Sequence, residues 1–175
     1  MNRLTHHLAG AAAGLGLAAT LSWPLWQAGM AAAAGGSTAG GRWSPDADQY
    51  RWWRRTDRIL PDELLGNSGP LRHRGITHWW GIPALAAVAV LVLVPAPLRW
   101  PAWALITGWC SHLAGDFVFG AACPYEHRGP GIPLAPWWRH RGMGLDSGGL
   151  VERWVAAPAL LVLLGWQTWT LVLAA

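Results

Sequence analysis

Lysine is missing from this chain, and all 13 of its cationic side chains are arginine. Arginine keeps bidentate contact with phosphate groups available, although in a chain so rich in alanine, glycine and tryptophan it also fits the bias of a GC-rich genome. Charge of either sign is scarce. Charged residues make up 13% of the 175 positions and hydrophobic ones 53%, with a positive mean hydropathy. That is more apolar content than one soluble core of this size needs, so a single membrane-embedded domain over 1–175 is the natural reading. The two cysteines, Cys110 in an apolar run and Cys123 in a loop, show no repeated spacing, which excludes a disulfide framework and a zinc-finger pattern. No internal repeat is visible.

Long apolar stretches are present at about 8–41, 79–97, 101–121 and 154–173. The last three approach the length of a helical bilayer crossing. The first is too long for one span and is interrupted at Ser22-Trp23-Pro24, where proline lacks an amide proton and clashes with the preceding turn. The expected fold is therefore all-α, an integral membrane bundle of about five apolar helices that begins with a helical hairpin. Gly10, Gly14 and Gly16 in the first run would let a neighbouring helix approach closely. A single span, or a cleaved secretory signal beginning at Arg3 with Ala31–Ala34 as the small residues, is the alternative for this segment.

Arginine placement tests the topology through the positive-inside rule. Two Arg-rich connections, at about 42–76 and 122–153, carry seven and four arginines, and Arg99 lies opposite them. With the hairpin, Arg3 joins the rich side and the split is 12 to 1; without it the split is 11 to 2. Both connections are thus expected in the cytoplasm, in a multi-pass membrane protein. Most of the 15 tryptophans fall near helix ends, as indole rings prefer the headgroup zone, and Trp109 alone is left in the middle of a helix.

Four short patterns carry chemistry: Thr5-His6-His7 with Gly10; Pro45-Asp46-Ala47-Asp48; His73-Arg74-Gly75-Ile76-Thr77-His78; and Ser111-His112 with Asp116. In the hairpin topology all four fall at the cytoplasmic ends of apolar segments. His112 and Asp116 are four apart and share a helix face in an otherwise apolar run. A carboxylate there needs a partner, and a divalent cation would justify a His and an Asp together. His73 and His78 are five apart, so both serve one site only if His73 lies in the preceding loop or a distorted first turn, which Gly75 permits. Mixed imidazole and carboxylate ligands suit zinc or manganese foremost, and iron as well; more than four such groups could hold two ions. His127 and His140 read as loop residues, and Arg139 and Arg141 as contacts to anionic lipid headgroups.

Taken in order, these motifs resemble a bacterial family of LexA-regulated inner-membrane proteins described as metal-dependent hydrolases, long catalogued as a domain of unknown function. The resemblance runs from Thr5 to about Glu152. It is carried by Thr5, His6 and Gly10; Pro45, Asp46 and Asp48; the His-Arg-Gly-x-Thr-His element from His73 to His78; Ser111, His112 and Asp116; Gly-Ile-Pro-Leu-x-Pro from Gly131 to Pro136; and Ser147 and Glu152. The order of ligands is also similar to that of the zinc-dependent phospholipase C and nuclease group, a weaker analogy that points to phosphate esters. Two departures stand out. A longer segment, Phe117 to Pro130, follows Asp116, and Gln49 occupies a position where the family often has a His.

The expected activity is hydrolysis by metal-activated water. His6, Asp46, His73, His78, His112 and Asp116 are the expected ligands. Asp48 is expected to act as a ligand's hydrogen-bond partner or as general base, Arg74 to steady substrate charge, and Thr77 to hydrogen-bond a ligand. A site at the lipid–water boundary suggests a phosphoester or lipid-like substrate, with membrane lipids as partners and no nucleic acid. The alternative is a metal-binding or cation-transport protein without turnover. Transport would favour polar residues along several spans, and the last span offers few beyond Gln167 and Thr168.

Overall fold

The computed structural model describes residues 2–41, 43–46, 76–119, 132–135, 138–140, 145 and 147–175. Asn2 opens helix α1 (Arg3–Thr20), its side-chain oxygen accepting from both the amide and the hydroxyl of Thr5 at 3.0 Å. The helix ends where Ser22 enters the left-handed region at φ 53° and the Trp23 amide folds back onto the Ala18 carbonyl. Pro24 then caps α2 (Leu25–Gly40). The interruption at Ser22-Trp23-Pro24 is therefore a tight turn, and the first apolar run is the expected hairpin.

Among the described residues three further α-helices follow: α3 (Gly81–Leu93), α4 (Trp100–Phe119) and α5 (Ala157–Leu173), the last entered through a π-helical stretch, Glu152–Ala156. The heart of the molecule is the triangle of α1, α2 and α4. Its core side chains are small, with Ala18, Ala28, Ala31 and Ala104 around Leu15. Close approach replaces bulk. A methyl group on Gly10 would strike the Gly35 carbonyl, and one on Gly108 would strike the Thr38 hydroxyl and the same carbonyl. The Thr38 hydroxyl also reaches across to the Leu105 carbonyl of α4 at 3.1 Å. Small residues plus one interhelical hydroxyl are the means by which helices associate when the hydrophobic effect gives no preference between neighbour and lipid.

α3 rests on α4, and α5 rests on α1. Their outer faces expose Leu85, Val88 and Val92, and Val162, Trp166 and Trp169. Among the described residues, Glu152–Leu173 is the one helix long and apolar enough by itself to cross a membrane; α3 is apolar but has 13 residues. At the end that carries the hairpin turn, Trp100 meets Trp23 and Trp26 edge-on, at centroid distances of 6.0 and 5.5 Å. There too Arg99 donates to the Val94 and Leu91 carbonyls and so neutralises the C-terminus of α3.

The departure from an all-helical chain among the described residues is a short antiparallel pair, β1 (Ile132–Ala135) with β2 (Trp138–His140). Helix periodicity gives no hint of it, because Pro133 and Pro136 break helix without specifying what replaces it.

Candidate metal centre

Each polar side chain of the site comes from the same end of the bundle. His6 lies in the first turn of α1, and Asp46 lies just past the C-terminus of α2. His78 closes a single 3-10 turn, Ile76–His78, directly before α3. His112 and Asp116 stand one turn apart on the buried face of α4. The small-residue packing of α1, α2 and α4 is what draws these termini together.

Four of the side chains converge. Asp46, His78, His112 and Asp116 each offer one ligand atom, all within 4.8 Å of one another. His78 Nε2 lies 3.2 Å from Asp46 Oδ1, 3.5 Å from Asp116 Oδ2 and 3.2 Å from His112 Nε2. His112 Nε2 is 3.6 Å from both carboxylate oxygens. Ligands bound to one zinc-sized ion at about 2.0–2.1 Å in a tetrahedron stand about 3.3 Å apart. Five of the six edges of this quartet fall close to that length, so the donor set fits a divalent cation.

The nitrogens are aimed by their second bonds. His112 Nδ1 donates to the Ala39 carbonyl at 2.6 Å, which leaves Nε2 with its lone pair turned inward. His78 Nδ1 lies 3.2 Å from the Thr77 hydroxyl, the ligand-supporting contact expected of Thr77. Trp109 ties this turn to α4, its indole N–H donating to the Thr77 carbonyl at 3.1 Å. His6 stacks on His112 at 3.9 Å, and its Nε2 lies 3.0 Å from Asp116 Oδ1, the oxygen other than the one facing the quartet.

His78 and His112 are fully buried and Asp116 nearly so, whereas the Asp46 side chain keeps 28% of its surface exposed. The histidine side of the quartet is closed; the Asp46 side chain has exposed surface, although its Oδ1, the oxygen that faces the rings, is itself buried. Burial works to raise the Asp46 carboxyl, but the hydrogen bond with His78 and the adjacent His112 and His78 rings outweigh it and hold the group at about 2. Burial also opposes charge on His78, yet hydrogen bonds to Asp116 and Asp46 raise the ring above its ordinary value of 6.5. Without a cation, a proton on His78 compensates the two carboxylates.

Of the six expected ligands, Asp46, His78, His112 and Asp116 form the quartet, and His6 touches it through Asp116 without belonging to it. His73 lies outside the described residues, as do Asp48 and Arg74, the expected catalytic pair. The sequence marks Glu152 as a carrier of the family resemblance without giving it a role, and it gives no sign of the Ala39 carbonyl or the Trp109 tie. Glu152 is fully buried and accepts from the backbone amides of Asn2 at 2.6 Å and Gly148 at 2.5 Å. An acidic residue immediately before an apolar span was the available signal for it.

No match was found among curated proteins or solved structures. One family does match, over residues 1–174, and its description is YdjM inner membrane protein. The match takes in the hairpin, the quartet and the last helix together, and it agrees with the resemblance carried by the His-Arg-Gly-x-Thr-His and Ser-His-x-x-x-Asp elements. The chain belongs to the YdjM inner membrane protein family.

Proposed function

We propose that this protein is a multi-pass inner-membrane hydrolase that depends on a divalent cation held by Asp46, His78, His112 and Asp116. The observation that carries this reading is the near-tetrahedral spacing of four buried or half-buried donors at one end of a helix bundle. Catalysis needs a coordination position beyond the four protein donors, and Asp46, whose side chain keeps 28% of its surface exposed, is the side from which water and substrate would reach it. A divalent ion bound there would supply Lewis acidity and an activated water near neutral pH.

The chain's own residues divide the remaining work. Ala39 and Thr77 hold the two imidazoles with Nε2 inward. Asp48, two residues beyond Asp46, is assigned the role of general base, and Arg74, four residues before His78, the steadying of negative charge on a phosphoester or lipid-like substrate. His73 is an additional donor for the same cation or for a second one. Arginine asymmetry supports a site facing the cytoplasm, and the exposed apolar faces of α3 and α5 support lipid contact over most of the bundle.

Elemental analysis of the detergent-purified protein, followed by a screen of phosphomonoesters, phosphodiesters and phospholipids with and without chelator, tests the reading. Bound zinc or manganese with chelator-sensitive hydrolysis is the expected result. Bound metal with no turnover on any ester class would favour the non-catalytic or transport alternative. Hydrolysis indifferent to metal removal would defeat the mechanism.

A further inference from the structure

Glu152 lies at the entry to the last helix and takes no part in the quartet, yet it is fully buried and both of its oxygens accept from backbone amides. The π-helical stretch that begins at this residue marks a local departure from regular helix of the kind often kept for a specific purpose. Gly148, at φ +74°, makes the turn that brings its own amide onto the same carboxyl group.

From Glu152 a continuous run of hydrogen bonds leads to the site. The Asn2 amide donates to Glu152 Oε1, the Asn2 carbonyl accepts from the His6 amide at 3.1 Å, and His6 Nε2 meets Asp116 Oδ1 at 3.0 Å. Asp116 then turns Oδ2 toward His78 and His112. Asn2 also caps α1 through Thr5, itself fully buried, so the first turn has little freedom to rotate about its anchor. His6 Nδ1 is buried without a hydrogen-bond partner among the described residues, so Asp116 is the polar partner that fixes its ring.

We infer that Glu152 is a positioning residue of the metal centre, acting through Asn2 and His6 to fix the orientation of the Asp116 carboxylate. The inference rests on the cation-binding reading above. It makes the last helix part of the centre although that helix contributes no ligand. Partners that orient a ligand typically alter metal affinity by about 10–100-fold when removed.

The test is a double-mutant cycle on the full chain in detergent, with Zn²⁺ affinity measured by chelator competition and the Co²⁺-loaded protein's visible ligand-field spectrum as second readout. Glu152→Ala is expected to weaken Zn²⁺ binding about 10-fold and shift the Co²⁺ bands, with Glu152→Gln, which keeps the volume and one acceptor, falling between it and wild type. In a His6→Ala background, Glu152→Ala and Glu152→Gln should add little further loss. Equal loss in both backgrounds, or a lower melting temperature with unchanged affinity and spectrum, overturns the inference while leaving the cation site standing. A fall from two bound ions to one in His6→Ala would give His6 an ion of its own and likewise overturn it. If Glu152→Ala does not fold, Glu152→Gln decides between these results by the same two readouts. Wild type that binds neither Zn²⁺ nor Co²⁺ overturns this inference and the cation reading together.

Discussion

The Nε2 atoms of His78 and His112 face each other across 3.2 Å, and His112 has already committed its other nitrogen to the Ala39 carbonyl. Two inward lone pairs at that separation repel unless something positive lies between or beside them. A proton shared with the carboxylates is one solution, and a cation bound to all four donors is the other. Either removes the cost of leaving buried polar atoms unmatched.

Removing one imidazole should therefore abolish metal loading while leaving a folded bundle. His112→Ala is expected to reduce Zn²⁺ affinity by more than about 100-fold, beyond the usual effect of losing a ligand's supporting partner. Ala39 contributes through its backbone carbonyl, so Ala39→Gly, which removes only the methyl group, should retain metal. Elemental analysis after size-exclusion chromatography reads both. Full occupancy in His112→Ala would remove this histidine from the ligand set.

Acidity offers a separate check, because His78 and Asp46 are shifted in opposite directions. In the metal-free protein the raised His78 ring adds stability that is complete below its unfolded value of 6.5 and is lost as pH climbs through the higher folded value. The lowered Asp46 carboxyl adds stability that is present above 3.8 and is lost as pH falls toward about 2. Between about 4 and 6.5 both contributions are in place, so the melting temperature of chelator-treated protein should decline from pH 6 to pH 9. Zn²⁺ competes with the His78 proton, and its affinity should rise over that same interval. Parallel melting curves for loaded and metal-free protein across this range would contradict the linkage.

Much of this was legible from residue types alone. Apolar segmentation and the proline at position 24 gave the hairpin, and the i, i+4 spacing of His112 and Asp116 put both on one buried face. Other features depend on tertiary approach, which spacing cannot report. That His6 meets Asp116 Oδ1 outside the quartet follows from how deeply α1 sinks against α4, and that depth is set by Gly10, Gly35 and Gly108 meeting at one point. Trp109 read as a stray mid-helix ring because its partner, the Thr77 carbonyl, belongs to a segment 32 residues away.

The glycine crossing carries its own consequence for stability. Gly108→Ala places a methyl group against the Thr38 hydroxyl and the Gly35 carbonyl, and a backbone carbonyl cannot turn aside as a flexible side chain can. The helices must separate slightly, at a cost of about 1–3 kcal/mol by analogy with overpacked cores. Separation of α2 from α4 also moves the Ala39 carbonyl away from His112 Nδ1. Gly108→Ala should therefore melt earlier in detergent and bind Zn²⁺ more weakly, whereas Gly29→Ala, with open space around that position, should do neither. Equal behaviour of the two variants would mean that the crossing tolerates an extra carbon and is not what sets the site.

The side of the membrane on which the site opens decides which pool of substrate it could meet, and the two ends of the bundle offer exposed positions from which to read it. Trp43 stands at the site end beside Ser44 and Asp46, and Leu98 stands at the opposite end between α3 and α4; both are well exposed. With Cys110 and Cys123 replaced by serine, Trp43→Cys should react with a membrane-impermeant maleimide only in inverted vesicles, and Leu98→Cys only in right-side-out ones. The expectation rests on arginine asymmetry, since moving the Arg-rich connections outward would oppose the positive-inside preference. Labelling in the reverse pattern would place the quartet at the outer face, where a substrate would have to come from the periplasmic leaflet or the medium. Labelling of both positions from one side would mean that α3 and α4 do not cross the bilayer, leaving the apolar face of α3 without its proposed lipid contact.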